Sequence, residues 1–144
     1  QGENFEQSQQ EAKALGIAEM VLFCGNVNRP EDYLQAMDVF VMTSLFEGLP
    51  IVGVEAQASG LPCIFADTIT QEVKILPQTQ FLALTQPDEA WAERIVQTKP
   101  MERSLAGHCV ESAGFAEENL DRQVCALYGM EEHHFANISG RDHL

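Results

Sequence analysis

The sequence predicts an α/β fold in which helices cover both faces of a doubly wound parallel sheet. Two observations predict it: short apolar runs typical of buried strands alternate with longer segments of helical period, and Gly or Pro lies at many of the boundaries. Of the 144 residues, 45% are hydrophobic, which is enough to bury one core. The chain is therefore expected to form a single globular domain.

The first half of the chain divides into two helices and two strands. Residues 6–16 (EQSQQEAKALG) predict a polar helix that ends at a glycine able to adopt the left-handed conformation. The apolar run 20–25 (MVLFCG) predicts a buried strand. Asn28 is expected to cap a second helix that has Pro30 in its first turn, and the run 39–42 (VFVM) predicts the next strand.

The second half continues the alternation. Residues 49–58 predict a helix with a proline in its first turn, residues 62–66 (PCIFA) predict a third strand, and residues 81–84 predict a fourth. Residues 87–96 begin with Pro, Asp and Glu, as helices often do, and predict a further helix. A last helix is expected over 115–128.

The chain divides into an ordered domain over residues 1–130 and a tail over 131–144. The tail has no clear periodicity, and we expect it to be disordered. His133, His134 and His143 lie in this tail without a pattern of acidic partners, so no metal site is predicted.

Charge and cysteine usage exclude several classes of function. Eight Lys and Arg against 22 Asp and Glu give a formal charge of −14, which repels nucleic-acid phosphates, so nucleic acid is not an expected partner. Cys24, Cys63, Cys109 and Cys125 form no C-x-x-C pair, which excludes a zinc cluster of the common type. Reduced thiols used as small core hydrophobes in a cytoplasmic protein are the expectation.

The candidate site is the stretch FEGLPIVGVEAQASGLPC, which begins at Phe46. In doubly wound sheets the ligand binds beyond the carboxyl ends of the strands, where loops lead into helices. The loop that contains Glu47 and Gly48 lies at that edge. Gly48 allows close approach of the backbone, and the free N–H groups of the following helix favour an anion.

Glu55 is the second candidate residue. At about 100° per residue, it falls within the apolar arc of the predicted helix, the arc that contains Ile51, Val54 and Ala58. A buried carboxylate costs several kcal/mol unless it is paired or bound. One arrangement satisfies these features: a nucleotide diphosphate at the helix start, its ribose hydroxyls donating to Glu55, and the transferred group next to Glu47.

The segment DVFVMTSLFEGLPIVGVEAQASGLPCIFADTITQEV resembles the donor-binding half of retaining glycosyltransferases of the GT-B fold, particularly those that build bacterial capsular polysaccharide and exopolysaccharide. The family signature is two glutamates separated by seven intervening residues, followed by small residues and Gly-x-Pro. Glu47, Glu55, Gly60 and Pro62 match it. The resemblance extends over residues 15–128.

The resemblance implies a Rossmann-like C-terminal domain that binds a nucleotide sugar. It implies that Glu55 binds the ribose and that Glu47 contacts the donor sugar and aids departure of the nucleotide. The other donor-binding positions that it implies are Gly25, Ser44, Gly48, Leu49 and Pro50. It further implies that the donor needs no metal and no other cofactor, that the acceptor is a glycan or a lipid-linked sugar, and that the protein works at the cytoplasmic face of the membrane.

Two departures from the family bear on activity. The strands and basic residues that precede Gln1 in the family, and its N-terminal acceptor domain, have no counterpart here, so the chain is expected to be a C-terminal domain trimmed at its start and inactive alone. The family's Pro-Ser is Thr43-Ser44. A non-catalytic nucleotide-binding or pairing subunit of a two-chain transferase, and a nucleotide-sugar epimerase of the same fold, are the alternatives.

Simpler roles exist for the same residues. Glu55 could be an ordinary buried acid, and Glu47 could be an exposed loop acid. Asp67, Thr68 and Thr70 follow the third strand and could reach the donor pocket, but the expectation is that they cap their loop. Glu72 is expected to be a solvated helix residue.

Overall fold

Three parallel strands form the centre of the structure, a computed structural model that describes residues 4–115. The strands are β1 (Phe40–Met42), β2 (Cys63–Ala66) and β3 (Gln80–Leu82), in the order β1-β2-β3. Both neighbouring pairs are parallel. The predicted strands at 39–42, 62–66 and 81–84 are therefore confirmed to within two residues.

Five helices lie in the described part of the chain. They are α1 (Phe5–Ala14), α2 (Pro30–Ala36), α3 (Ile51–Ala58), α4 (Asp88–Gln97) and α5 (Arg103–Val110). Short 3-10 turns occupy Ala18–Met20 and Gln71–Val73. The helix expected over 115–128 and the tail over 131–144 lie outside the described residues.

Helices cover both faces of the sheet. Gly53 of α3 lies directly against Phe65, and Arg94 of α4 donates a hydrogen bond to Gln80, with 3.0 Å between Nη1 and Oε1. Gln80 is paired with Ile64 in the sheet. Because successive residues of a strand point to opposite faces, Phe65 and Ile64 mark the α3 face and the α4 face respectively. This arrangement confirms the predicted α/β class with a doubly wound parallel sheet.

An aromatic row joins the three strands on the α3 face. The ring of Phe65 lies 6.0 Å from that of Phe40 and 5.8 Å from that of Phe81, measured between centroids. Phe65 has no exposed surface. A side chain of this size contributes about 1.5–3 kcal/mol when it is fully buried, so Phe65 is a substantial part of the core.

A buried glutamine joins α3 to the connection between β2 and β3. The amide nitrogen of Gln57 donates to the carbonyls of Gly53 (3.0 Å) and Val73 (2.7 Å). Its oxygen accepts from the N–H groups of Ile75 and Leu76, each at 3.0 Å, and from the Thr79 hydroxyl at 2.8 Å. The side chain is fully buried, and these bonds satisfy it.

The strand predicted over 20–25 is wrong for this structure. The segment pairs with no other strand among residues 4–115, and Met20 and Leu22 are 78% and 81% exposed. Phe23 instead packs edge-on against Phe5 of α1, with 5.7 Å between ring centroids. A strand forms only where a neighbour supplies hydrogen bonds, and an apolar run by itself does not reveal that neighbour.

The start of α2 also differs from the prediction. Arg29, not Asn28, is the N-cap residue, and no side chain caps the helix. The Arg29 guanidinium instead lies 3.1 Å from each of the carboxylates of Glu31 and Asp32. The predicted position of Pro30 in the first turn is confirmed.

Helix α5 was not predicted. It contacts α3, and its Arg103 side chain donates to the Gln35 carbonyl at 2.8 Å. Just before the helix, the Met101 N–H donates to the Gly60 carbonyl at 3.1 Å. Gly60 has a φ of 77°, so a glycine in the left-handed region ends α3. A side chain at this position would clash with the Met101 carbonyl.

The cysteines do not share one environment. Cys63 is fully buried, and burial raises the pKa of its thiol to about 12. Cys109 is partly exposed, and Cys24 is exposed, so the expectation of a core role is wrong for Cys24. Cys125 lies outside the described residues.

We predict opposite effects for alanine at two helical glycines. A Cβ at Gly53 would lie 2.8 Å from the Phe65 ring, whereas a Cβ at Gly107 would meet nothing within 4 Å. Gly53→Ala should lower the free energy of unfolding by about 1–3 kcal/mol through overpacking. Gly107→Ala should raise it by about 0.5–1 kcal/mol. Urea unfolding of both variants tests this, and a Gly53→Ala variant as stable as the parent protein would contradict the packing described here.

Candidate functional site

The loop over residues 43–50 connects the carboxyl end of β1 to the start of α3. Pro50 is the N-cap of the helix, and the N–H groups of Gly53 and Val54 both donate to its carbonyl, at 2.9 and 3.4 Å. The N–H groups of Ile51 and Val52 therefore lie at the open, electropositive end of α3. An anion placed at this end would meet backbone donors.

Glu47 lies in the middle of this loop. Its side chain is half-buried, whereas the neighbouring Leu45 and Phe46 are 82% and 85% exposed. Within residues 4–115, no hydrogen bond or ion pair involves the Glu47 carboxylate. The carboxylate is thus available to a ligand at the edge of the sheet.

The predicted burial of Glu55 is wrong, because its side chain is exposed. The buried residues of α3 are Gly53, Val54, Ala56 and Gln57. At about 100° per residue, Glu55 lies about 160° around the axis from both Gly53 and Gln57. It therefore shares the outward side of the helix with Ile51, which is 59% exposed. The sequence pattern failed because a glycine and a glutamine occupy the buried side, where the prediction placed aliphatic residues.

A hydrogen bond connects the loop over residues 43–50 to the loop that follows β2. The Thr68 hydroxyl donates to the Ser44 carbonyl at 2.7 Å. Thr70 accepts a bond from the Glu72 N–H at 3.4 Å, and Glu72 itself is exposed. The predicted capping role of Thr70 and the predicted solvation of Glu72 are confirmed. The predicted capping role is wrong for Thr68, because its hydroxyl bonds to Ser44 of the neighbouring loop and not to its own loop.

An open groove lies beside the loop, on the α4 face of the sheet. Its volume is about 460 Å³. The lining residues are Val41, Thr43, Leu84, Gln86, Asp88, Trp91, Ala92 and Ile95. Neither candidate glutamate lines this groove, so it is separate from the open end of α3.

The sequence profile of one family matches most of the chain. The family is described as glycosyl transferases group 1, and the match covers residues 1–108. The chain belongs to this family.

Several curated bacterial proteins are similar to this chain. A putative glycosyltransferase EpsF of Bacillus subtilis is 47% identical over 90 residues, which cover 62% of this chain and 23% of the relative. A Vi polysaccharide biosynthesis protein VipC/TviE of Salmonella typhi is 34% identical over 122 residues, or 79% of this chain and 20% of the relative. The chain thus spans about a fifth of the length of these two relatives.

A third relative has a more specific name. The Escherichia coli protein named UDP-Gal:alpha-D-GlcNAc-diphosphoundecaprenol alpha-1,3-galactosyltransferase is 42% identical over 53 residues, which cover 37% of this chain and 14% of the relative. The match to the glycosyl transferases group 1 profile confirms the resemblance to glycosyltransferases that was stated from the sequence.

Most of the predicted site residues of this group 1 chain lie around the start of α3. The loop before α3 contains Ser44, Glu47, Gly48, Leu49 and Pro50. Glu55 projects from α3 itself. The predicted donor-binding position Gly25 lies elsewhere along the chain. It is exposed with a φ of 63°, and no hydrogen bond between described residues joins it to the loop.

Two sets of side-chain hydrogen bonds around the candidate site were missed from the sequence. Gln57 was not singled out, because a glutamine in an apolar helix carries no signal of its position on the helix. The bond from Thr68 to Ser44 joins residues 24 positions apart, so no local pattern in the sequence indicates it.

Among the described residues, no helix is both long and apolar enough to cross a membrane.

The exposure of Glu55 predicts the stability of its glutamine variant. A buried unpaired carboxylate would destabilise the protein, so its removal would raise stability. An exposed one leaves stability nearly unchanged, and we expect Glu55→Gln to alter the free energy of unfolding by less than about 0.5 kcal/mol. Urea unfolding without nucleotide tests this. A gain of more than about 1 kcal/mol would contradict the outward position of Glu55.

Proposed function

We propose that this chain is the donor-binding domain of a retaining glycosyltransferase that uses a nucleotide sugar. The observation that carries the proposal is the pair of carboxylates on either side of the open end of α3: Glu47 in the loop before it and Glu55 in the second turn of the helix. Neither makes a hydrogen bond or ion pair with another residue of the described range 4–115. Ionised carboxylates without protein donors are suited to accept hydrogen bonds from hydroxyl groups.

In this proposal Glu55 binds the ribose. Its exposed side chain projects from the outward side of α3, within the second turn of the helix. The diphosphate binds at the helix start, where the N–H groups of Ile51 and Val52 have no acceptor within the helix. A ribose attached to that diphosphate can donate its hydroxyls to the Glu55 carboxylate.

Glu47 acts on the transferred sugar. Retaining transfer develops positive charge at the sugar carbon and negative charge on the departing phosphate. A carboxylate beside the sugar stabilises the positive charge on the sugar carbon. The backbone N–H groups of Gly48 and Leu49 stabilise the negative charge on the departing phosphate. These contacts are strongest in the transition state and therefore accelerate the reaction. The proposal needs no metal ion.

The complete protein transfers the sugar to a glycan or a lipid-linked acceptor in bacterial polysaccharide biosynthesis. The names of two relatives support this: one is a Vi polysaccharide biosynthesis protein, and the other is a galactosyltransferase whose acceptor is GlcNAc-diphosphoundecaprenol. The acceptor binds outside the described residues, and the reaction takes place at the cytoplasmic face of the membrane, where nucleotide sugars are available.

We predict different kinetic changes for the two glutamates in the complete protein. A thermal-shift screen of nucleoside diphosphates and nucleotide sugars first identifies the donor. Glu47→Gln should lower kcat by about 10²–10³-fold with little change in nucleotide affinity. Glu55→Gln should raise the donor KM by about 10–100-fold, because it weakens a hydrogen bond to a charged group that is made in both ground and transition states.

Glu72→Gln is the matched control, since Glu72 is also exposed and lies outside the proposed site. It should leave kcat and KM unchanged. If both site variants lose only donor affinity, the chain is a nucleotide-binding subunit, and the catalytic role of Glu47 is wrong. If Glu55→Gln binds a ribonucleotide as tightly as the parent protein does, the ribose assignment is wrong.

A further inference from the structure

The hydrogen bond from Thr68 to Ser44 joins the two loops that leave neighbouring strands at the same edge of the sheet. The distance between Thr68 Oγ1 and the Ser44 carbonyl oxygen is 2.7 Å, which is typical of a good bond from a hydroxyl. Ser44 lies two residues after β1, and Thr68 lies two residues after β2. The bond therefore fixes the spacing of the loops where the candidate site begins.

Thr68 is held on both sides. The Asp67 N–H donates to the Leu82 carbonyl at 3.0 Å, which continues the sheet beyond β2. The Ile69 N–H donates to the Ala66 carbonyl at 3.1 Å, and the Ile69 side chain is only 2% exposed. The same connection is fixed further along by Gln57. Thr68 is thus a rigid donor.

The loop that receives this bond is otherwise weakly held. Within the described residues, no backbone or side-chain group of 45–49 makes a hydrogen bond. Leu45 and Phe46 are largely exposed, and Gly48 has open space around it. The loop is therefore attached at Ser44, by Thr68, and at Pro50, where α3 begins. Glu47 lies between these two attachments.

We infer that Thr68 is a positioning residue for Glu47. By holding the Ser44 carbonyl, it limits the conformations of residues 45–49 and keeps the Glu47 carboxylate at a constant place beside the helix start. This role rests on the proposed function of Glu47, because a small displacement of an acting group matters only if that group contributes to the reaction. Thr68 itself does not contact the reacting atoms.

Three variants separate positioning from a general structural effect. Thr68→Val removes the hydroxyl with little change in volume, and Thr68→Ser restores it. Thr70→Val is the matched control, because the Thr70 hydroxyl lies in the same connection but bonds only the nearby Glu72 N–H among the described residues. The first test is limited chymotrypsin cleavage after the exposed Leu45 and Phe46, which needs no substrate.

In the complete protein, Thr68→Val should be cleaved in this loop about fivefold faster than the parent, as expected for the loss of one ordinary hydrogen bond. Thr68→Ser and Thr70→Val should be cleaved at the parent rate. The inference would be overturned if Thr68→Val were cleaved at the parent rate. It would also be overturned if Thr70→Val were cleaved as fast as Thr68→Val.

The second test is the release of nucleoside diphosphate from UDP-glucose, UDP-galactose and UDP-N-acetylglucosamine. With the sugar that turns over, Thr68→Val should lower kcat by about three- to tenfold at constant KM, and Thr68→Ser should recover it. A rise in KM instead would mean that Thr68 binds the donor, which overturns positioning. If Glu47→Gln lowers kcat but Thr68→Val does not, only this inference fails. If Glu47→Gln retains its kcat, the proposed function fails and the inference fails with it.

Discussion

The hydrogen bonds of the Gln57 amide are the interaction on which the rest of the structure depends. A fully buried side-chain amide is costly unless its donors and acceptor are satisfied, and here five bonds satisfy it. They are made to α3 itself and to four residues of the connection between β2 and β3, namely Val73, Ile75, Leu76 and Thr79. That connection has only one short 3-10 turn of its own, so the amide supplies the order that a longer helix would otherwise give.

This burial also determines how α3 presents the candidate site. Because Gln57 and Gly53 point to the sheet, Glu55 points outward, and the helix can lie close enough for Gly53 to touch the Phe65 ring. The same amide holds the segment that carries Thr68, whose hydroxyl bonds to the loop containing Glu47. Gln57 thus joins the helix that bears Glu55 to the connection between β2 and β3, and Thr68 joins that connection to the loop that bears Glu47.

The sequence predicted the elements that form through local rules and missed those that depend on partners. The strands at 39–42 and 62–66 were predictable, because both are short apolar runs bounded by turn residues. Residues 20–25 have the same composition but no neighbouring strand in the described structure. The position of the site at the loop before α3 followed from the topology of parallel sheets. The outward orientation of Glu55 could not be predicted, because it depends on the burial of Gln57. A hydrophobicity pattern assigns such a polar residue to the exposed side of the helix.

Amide hydrogen exchange at Ile75 and Leu76 tests the central role of Gln57 most directly. Both N–H groups donate to the Gln57 side chain, and Gln57→Leu removes that acceptor with little change in size. Both amides should be protected in the parent protein and should exchange at least about tenfold faster in Gln57→Leu, a larger loss of protection than in any amide of β2. Protection of Ile75 and Leu76 that is the same in Gln57→Leu as in the parent protein would contradict it.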